Sequence, residues 1–206
     1  MIIAVPKEIT AGETRVALVP DAVSSLVNEE VEVLIESGAG SLAYFSDKEY
    51  VSAGASIVPD VKTLFQQAEV VLKVNAPDNN TAVGSHEIEM MAKGTTVIGG
   101  LQPLVNLDLV SMLVDRHIVG FSIDTIPRIA RAQKMDVLSA MSSLAGYKSV
   151  IIAARVSSKA DKDEIYVSSL TRQITESAGD INFEDKDEVA LKGLSGVHKL
   201  SAVIWE

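Results

Sequence analysis

Short apolar runs, each separated from the next by a helix-patterned stretch, recur along most of this chain and restrict it to few folds. Residues 2–5, 31–35, 55–58, 70–73, 95–99 and 118–123 read as buried strands, each bounded by proline, glycine or charge. Between them lie helical patterns. One opens at Pro20-Asp21 and carries Val23, Leu26 and Val27 on one face; another opens at Pro59-Asp60 and carries Val61, Leu64, Phe65 and Ala68. Shorter ones occupy 46–53, 87–92 and 106–116. Strands alternating with helices fold as βαβ units, so the pattern predicts an α/β fold with a mostly parallel sheet flanked by helices. Hydrophobic residues make up 47% of the chain and aromatics only 4%, so the core is built from Val, Leu, Ile and Ala, the composition of parallel strands buried on both faces.

The 206 residues suffice for one domain with an appendage. A net charge of -10 argues against nucleic acid, because phosphate binding needs a basic surface. The absence of cysteine removes thiolate chemistry and Cys-ligated zinc, and fits a reducing, cytoplasmic compartment. His86, His117 and His198 lie in separate segments without ligand spacing, so no metal site is expected. The opening apolar run meets Pro6 and Lys7 at once, too early for a signal peptide. Continuous apolar runs such as 150–154 fall short of the ~20 residues of a membrane span, so none is expected.

A long helix is expected to run from the polar stretch after Pro127 to about Arg155. Residues 156–164 are polar and highly charged, and read as a linker. Beyond it the pattern predicts an amphipathic helix over 165–177, then short strands or a hairpin over 181–183, 189–194 and 200–205, packed back on the first domain.

Three places carry candidate chemistry. Arg128, Arg131, Gln133, Asp136 and Ser139 gather where a strand gives way to a helix, the position at which parallel α/β folds present ligands; capping and surface ion pairs are the competing account for any one of them. Lys73 ends an apolar strand and Arg15 lies in a polar loop; either suits an anion, and either is equally explained by snorkelling or solvation. Gly38-Ala39-Gly40-Ser41-Leu42-Ala43 formally matches the dinucleotide fingerprint G-x-G-x-x-G/A, with Asp60 downstream. That fingerprint requires its glycines to open directly into a helix, and here Tyr44-Phe45-Ser46-Asp47 intervenes, so a tight loop is expected and no phosphate loop remains.

Taken together, Ile3-Ala4-Val5-Pro6-Lys7-Glu8, Glu13-Thr14-Arg15-Val16-Ala17, Glu36-Ser37-Gly38-Ala39-Gly40, Leu72-Lys73-Val74-Asn75-Ala76-Pro77, Pro127-Arg128-Ile129-Ala130-Arg131-Ala132-Gln133 and Leu144-Ala145-Gly146-Tyr147 resemble the alanine dehydrogenase and pyridine nucleotide transhydrogenase family, and most closely its NAD(H)-binding alpha subunits. The resemblance implies that 1–155 is the N-terminal domain with a flavodoxin-like or Rossmann-like fold, that 156–164 stands where the family has a Rossmann domain, and that 165–206 completes the first domain. It implies that Arg128, Gln133, Asp136 and Ser139 sit beside the nicotinamide of NAD(H), with Arg128, Gln133 and Asp136 assisting hydride transfer. In the alanine dehydrogenase branch, Arg15 and Lys73 would hold a substrate carboxylate, but the catalytic histidine of that branch is absent from Gly99-Gly100-Leu101-Gln102-Pro103.

The function implied by the resemblance is that of a component of NAD(P) transhydrogenase, inactive alone, in a complex that transfers hydride between NADH and NADP and moves protons. Its partners would be a transhydrogenase beta subunit or membrane components, at a cytoplasmic location peripheral to the membrane. Self-association through the long helix is a further expectation. Two alternatives stay open: a non-catalytic structural or binding module left after loss of the Rossmann half, and an alanine dehydrogenase-like oxidoreductase.

Overall fold

Six of the apolar runs pair into one parallel sheet. A computed structural model describes residues 1–127, 129–158, 164–176, 182–191 and 196–204, and the chain divides into two compact units, Met1–Val137 and Leu138–Glu206. In the first unit the strands are β1 (Ile2–Val5), β2 (Glu32–Glu36), β3 (Ser56–Val58), β4 (Val70–Asn75), β7 (Thr96–Gly100) and β8 (Val119–Ser122), in the spatial order β3-β2-β1-β4-β7-β8. Every pairing is parallel. Between β4 and β7 a two-residue ladder joins β5 (Asn79–Asn80) to β6 (Ser85–His86), a hairpin that the apolar pattern did not predict because neither strand is apolar.

Successive residues of a strand face opposite sides, and the core divides accordingly. Ala4, Leu34, Val71 and Val97 face one side, with Leu64 and Phe65 of α3 (Val61–Gln67) and Leu109 and Leu113 of α5 (Leu107–Asp115). Val5, Val33 and Ile35 face the other, with Val23 of α1 (Pro20–Asn28) and Tyr50 of α2 (Asp47–Ser52). Burial of Leu64 and of Phe65 contributes about 1.5–3 kcal/mol each.

Local chemistry sets the helix starts. Pro20 occupies the first turn of α1. Ser46 and Glu49 form a reciprocal capping box on α2, and the Asp60 carboxylate accepts the Thr63 N–H at 2.9 Å at the head of α3. These are the residues from which the sequence predicted the starts.

The second unit holds α6 (Val137–Ser157) apart from its first residue, β9 (Tyr166–Ser168), α7 (Ser169–Glu176), β10 (Asn182–Ala190) and β11 (Val197–Ile204). Its sheet has the order β10-β11-β9 with antiparallel pairing, and Val156, Leu191 and Leu200 form its small core. Arg172 of α7 pairs with Asp185 of β10 and lies over the Phe183 ring at 5.9 Å. None of the described strands beyond 165 joins the six-stranded sheet.

Three expectations need correction. The polar stretch after Pro127 does not begin the long helix: 130–135 is a 3-10 helix, Asp136 is extended (ψ 90°), and α6 starts only at Val137. Asp136 thereby takes the position before a helix that short polar residues favour. Residues 165–177 are not one helix, because Tyr166 and Val167 suit a strand, and Ser168 Oγ accepts the Thr171 N–H at 3.3 Å to begin α7. The expected linker core 159–163 and residues 177–181, 192–195 and 205–206 lie outside the described residues. Finally, α6 is long and apolar enough to cross a membrane, with a mean hydropathy of 1.4 over its most apolar window. Counting only uninterrupted apolar runs missed this, since serine and glycine break a run without making a helix polar. Lys148 lies near the middle of that helix and would cost about 2.5–3.5 kcal/mol there.

Candidate functional site

The chain leaves β1 toward β2 and leaves β4 toward β7, on opposite sides, so the crevice at the carboxyl ends of β1 and β4 is the topological switch point of the sheet. The segment following β1 is latched over this point by Glu8. Its carboxylate accepts the Val74 N–H at 2.7 Å and the Asn75 N–H at 3.3 Å. Asn75 Nδ2 donates to Glu13 Oε2 at 2.9 Å and to Glu8 Oε2 at 3.4 Å, fixing the amide. Pro6 ends β1 and Pro77 follows β4, so neither strand continues past the crevice.

Lys73 and Arg15, the two candidate anion binders, are both brought to this region, and both are already engaged. Lys73 is 3% exposed; its Nζ donates to Glu87 Oε1 at 3.0 Å and lies 3.8 Å from Glu8 Oε2. Glu87 is fully buried at the start of α4 (Glu87–Met90) and also accepts the Asp78 N–H at 3.1 Å. Burial raises the Glu87 carboxyl above its usual range, against the opposing pull of Lys73. Two carboxylates and one ammonium leave this buried cluster with an excess negative charge. Arg15 grips Glu13 through two parallel hydrogen bonds, Nε to Oε1 at 2.8 Å and Nη2 to Oε2 at 2.6 Å, and these hold the Glu13 carboxyl down at about 2. The arrangement ties β4 to the loops around it and repels a small carboxylate more than it attracts one.

Glu87 and the β5–β6 hairpin are the parts of this region that the sequence reading missed. The available signal was a carboxylate beside Ile88, Met90 and Met91, an apolar setting that a charged residue enters only with a partner. The exit of β7 is built by Gly99 and Gly100. A Cβ on either would stand 3.0 Å from a backbone oxygen of β4, that of Lys73 or that of Val74, where the β4–β7 register shifts. Next comes Gln102 in the left-handed region, with φ +49°.

Of the candidate nicotinamide-facing residues, Gln133 is exposed in the 3-10 helix, its carbonyl accepting the Asp136 N–H at 3.4 Å. Asp136 is half-buried, and Ser139 is exposed in the first turn of α6. Arg128 lies outside the described residues.

The formal dinucleotide fingerprint serves packing. Gly38 has φ +76°, and a Cβ on Gly40 would come within 2.6 Å of the Tyr50 ring. After Gly40 the chain makes a 3-10 turn over Ser41–Ala43, and α2 opens only at Asp47. Gly38 N–H donates to Asp47 Oδ1 at 2.8 Å, so a carboxylate of this chain already takes that amide, and the residues here do not fit a pyrophosphate.

Residues 4–145 match the family model described as alanine dehydrogenase/PNT, N-terminal domain. The NAD(P) transhydrogenase subunit alpha of Cereibacter sphaeroides is 39% identical over 153 residues, 74% of this chain and 28% of that protein. The crystal structure of transhydrogenase from Sinorhizobium meliloti superposes with a TM-score of 0.69 at 35% identity, covering 76% of this chain and 45% of that one. An L-alanine dehydrogenase structure superposes with a TM-score of 0.67 at 35% identity, covering 76% and 41%. The chain therefore spans less than half the length of these relatives. With the parallel sheet and the latched switch point in place, the matched segment shows that the chain belongs to the alanine dehydrogenase/pyridine nucleotide transhydrogenase family, through that family's N-terminal domain.

Proposed function

We propose that this chain is a component of an NAD(P) transhydrogenase of the alpha-subunit type, supplying one wall of a nicotinamide site while other polypeptides supply the nucleotide-binding domains. Arg128, Gln133, Asp136 and Ser139 form that wall: a carboxamide and a hydroxyl suit the amide or ribose of a nicotinamide nucleotide, and an arginine with an aspartate can respond to a change in ring charge. The full complex would transfer hydride between NADH and NADP and couple it to proton movement, through a beta subunit or other membrane partners. The chain would work on the cytoplasmic face, peripheral to that membrane complex. NAD(H) belongs to the assembled site, and this chain alone is not expected to retain it.

The observation that carries the reading is the pairing of a retained polar stretch at 127–139 with a glycine loop whose amide is taken by Asp47 and whose Gly40 is packed on Tyr50. Residues 1–155 form the family domain in this reading, 156–164 replace the nucleotide-binding domain, and 165–206 complete the first domain. The exposed side chains of Leu144, Tyr147 and Val150 on α6 offer an apolar face for a partner or a second copy.

An alanine dehydrogenase-like activity is disfavoured by the engagement of Lys73 and Arg15 and by the absence of a histidine from Gly99-Gly100-Leu101-Gln102-Pro103. A non-catalytic module remains the second reading, favoured by the same blocked glycine loop. Hydride transfer from NADH to an NADP analogue distinguishes them, measured for the chain alone and after mixing with a beta subunit and a separately supplied nucleotide-binding domain. The proposal expects no transfer alone, transfer on mixing, and its loss with Gln133→Ala or Asp136→Asn. Restored transfer that ignores both substitutions would overturn the assignment of the wall.

A further inference from the structure

β8 is the outermost strand of the six-stranded sheet, and among the described residues nothing pairs with its free edge. Native sheets guard such edges with charge, proline or a bulge, because unpaired backbone groups otherwise recruit another strand. The opposite edge, β3, has three residues and runs into Pro59-Asp60. The outer strand β10 of the small sheet carries Glu184, Asp185, Lys186, Asp187 and Glu188, and its register shifts between Asp185 and Glu188. β8 reads Val119-Gly120-Phe121-Ser122 and has none of these devices.

Apolar surface flanks this edge on both faces of the sheet. The Val119 N–H donates inward to the Thr95 carbonyl at 3.0 Å, so by alternation the Gly120 N–H and C=O point to the free edge. A Cβ on Gly120 would stand 3.2 Å from Leu113 Cδ1, so α5 overlies β8, while Val119 and Phe121 face the other side of the sheet, 49% and 59% exposed. Asp108 and Met112 of α5 line the cleft beside the β5–β6 hairpin. At about 100° per residue, Leu107, Val110 and Val114 occupy the opposite flank of α5, which overhangs the free edge. Leu107 and Val114 are 66% and 67% exposed.

We propose that this edge joins two copies of the chain: β8 pairs antiparallel with β8 of a second copy about a two-fold axis at Gly120, and the two α5 helices pack alongside. That register sets Val119 opposite Phe121 of the second copy, twice, and an aromatic residue across from a β-branched one stabilises antiparallel strands. Leu107, Val110, Ser111, Val114 and the four residues of β8 carry no charge, in a chain whose net charge is -10. A copy therefore meets its own image here without bringing like charges together. Nine residues of α5 and four of β8 each span about 13–14 Å, so helix and strand match in length. A strip of that length lies at the low end for a specific interface, and the expected dissociation constant is on the order of tens of micromolar. With β3 guarded, the two-fold contact closes as a dimer. The surface uses no residue of α6, and the inference does not rest on the hydride-transfer reading.

Sedimentation equilibrium of the full chain, from micromolar to near-millimolar concentration, is expected to show a monomer–dimer equilibrium. Val119→Lys puts a guard on the edge and Val114→Glu a charge on the α5 flank. Both positions are exposed, so each variant should weaken the dimer at least about tenfold with the melting temperature unchanged. Leu144→Glu, on α6, should leave dimerisation as it is. The chain has no cysteine, so the register is read separately: Val119→Cys mixed with Phe121→Cys should form the mixed disulfide faster than either variant forms its own. A monomer throughout, a dimer that withstands both edge substitutions, a dimer lost with Leu144→Glu alone, or disulfides that form no faster between the two variants than within each would overturn the proposal.

Discussion

Lys73→Met isolates the buried charge cluster. Lys73 Nζ stands 3.0 Å from one Glu87 oxygen and 3.8 Å from one Glu8 oxygen. At an effective dielectric of ~20 these contacts correspond to about 5 and about 4 kcal/mol of gross attraction, most of it offset by the desolvation of three charged groups. Removing the cation alone leaves two carboxylates buried without it, and the expected loss is about 3–5 kcal/mol, a large part of the ~5–15 kcal/mol that holds a domain folded. Glu87→Gln should cost less than half as much, since Lys73 keeps Glu8. The double variant should be more stable than Lys73→Met alone.

The pH dependence has a definite sign. The Glu87 carboxyl is raised by burial, and a carboxyl raised above its unfolded value near 4.5 contributes stability below that value and loses it as pH rises through the folded one. Without Lys73 the rise is greater, so the variant should regain stability relative to the parent as pH falls from neutral toward the unfolded value near 4.5. Urea unfolding followed by hydrogen exchange of the β1 and β4 amides reports this unit directly. The single tryptophan, at 205, lies outside it. A loss below about 1 kcal/mol, or a double variant no better than the single one, would refute the structural role assigned to the cluster.

Glu13 behaves in the opposite sense. Its hydrogen bonds from Arg15 hold it at about 2, so the contribution of this pair is present above about 4.5 and is lost as pH falls toward 2, a dependence that Glu13→Gln should abolish in acid titration of stability. Gly40→Ala should destabilise by about 1–3 kcal/mol in thermal unfolding, because the added methyl meets the Tyr50 ring at 2.6 Å and the Phe45 carbonyl at 2.9 Å. Tyr50→Phe removes the donor to the Leu18 carbonyl, a 2.8 Å bond, and should cost about 1 kcal/mol in the same assay. Pyruvate and other small carboxylates should not raise the melting temperature of the chain, because Lys73 and Arg15 are engaged by carboxylates of the chain itself; protection of a few degrees would reopen the anion-site reading.

The parallel sheet was legible because its strands are short apolar runs and its helices open at Pro20, Ser46 and Asp60, each a local signal that tertiary packing did not override. Residues 165–168 were not, since Tyr166 and Val167 fit an amphipathic helix pattern as well as a strand, and pairing with Leu200 to Ala202 decides between them. The break at Asp136 was hidden because Ala130 to Met135 is helical in composition and only the hydrogen-bond spacing distinguishes a 3-10 turn from an α-helix. At the site, Tyr44-Phe45-Ser46-Asp47 alone mark the glycine segment as a tight loop, and Tyr50 supplies the physical reason. The apolar run 70–73 puts Lys73 toward the carboxyl end of its strand, but its role turns on Glu87, fourteen residues on, which no local pattern connects to it.

Equilibrium titration of the purified chain with NADH, followed by nucleotide fluorescence, tests the central claim most directly. The account expects no saturable binding to the chain alone even at millimolar nucleotide, and binding once a nucleotide-binding domain is supplied. Saturable binding to the chain alone at micromolar NADH would contradict it.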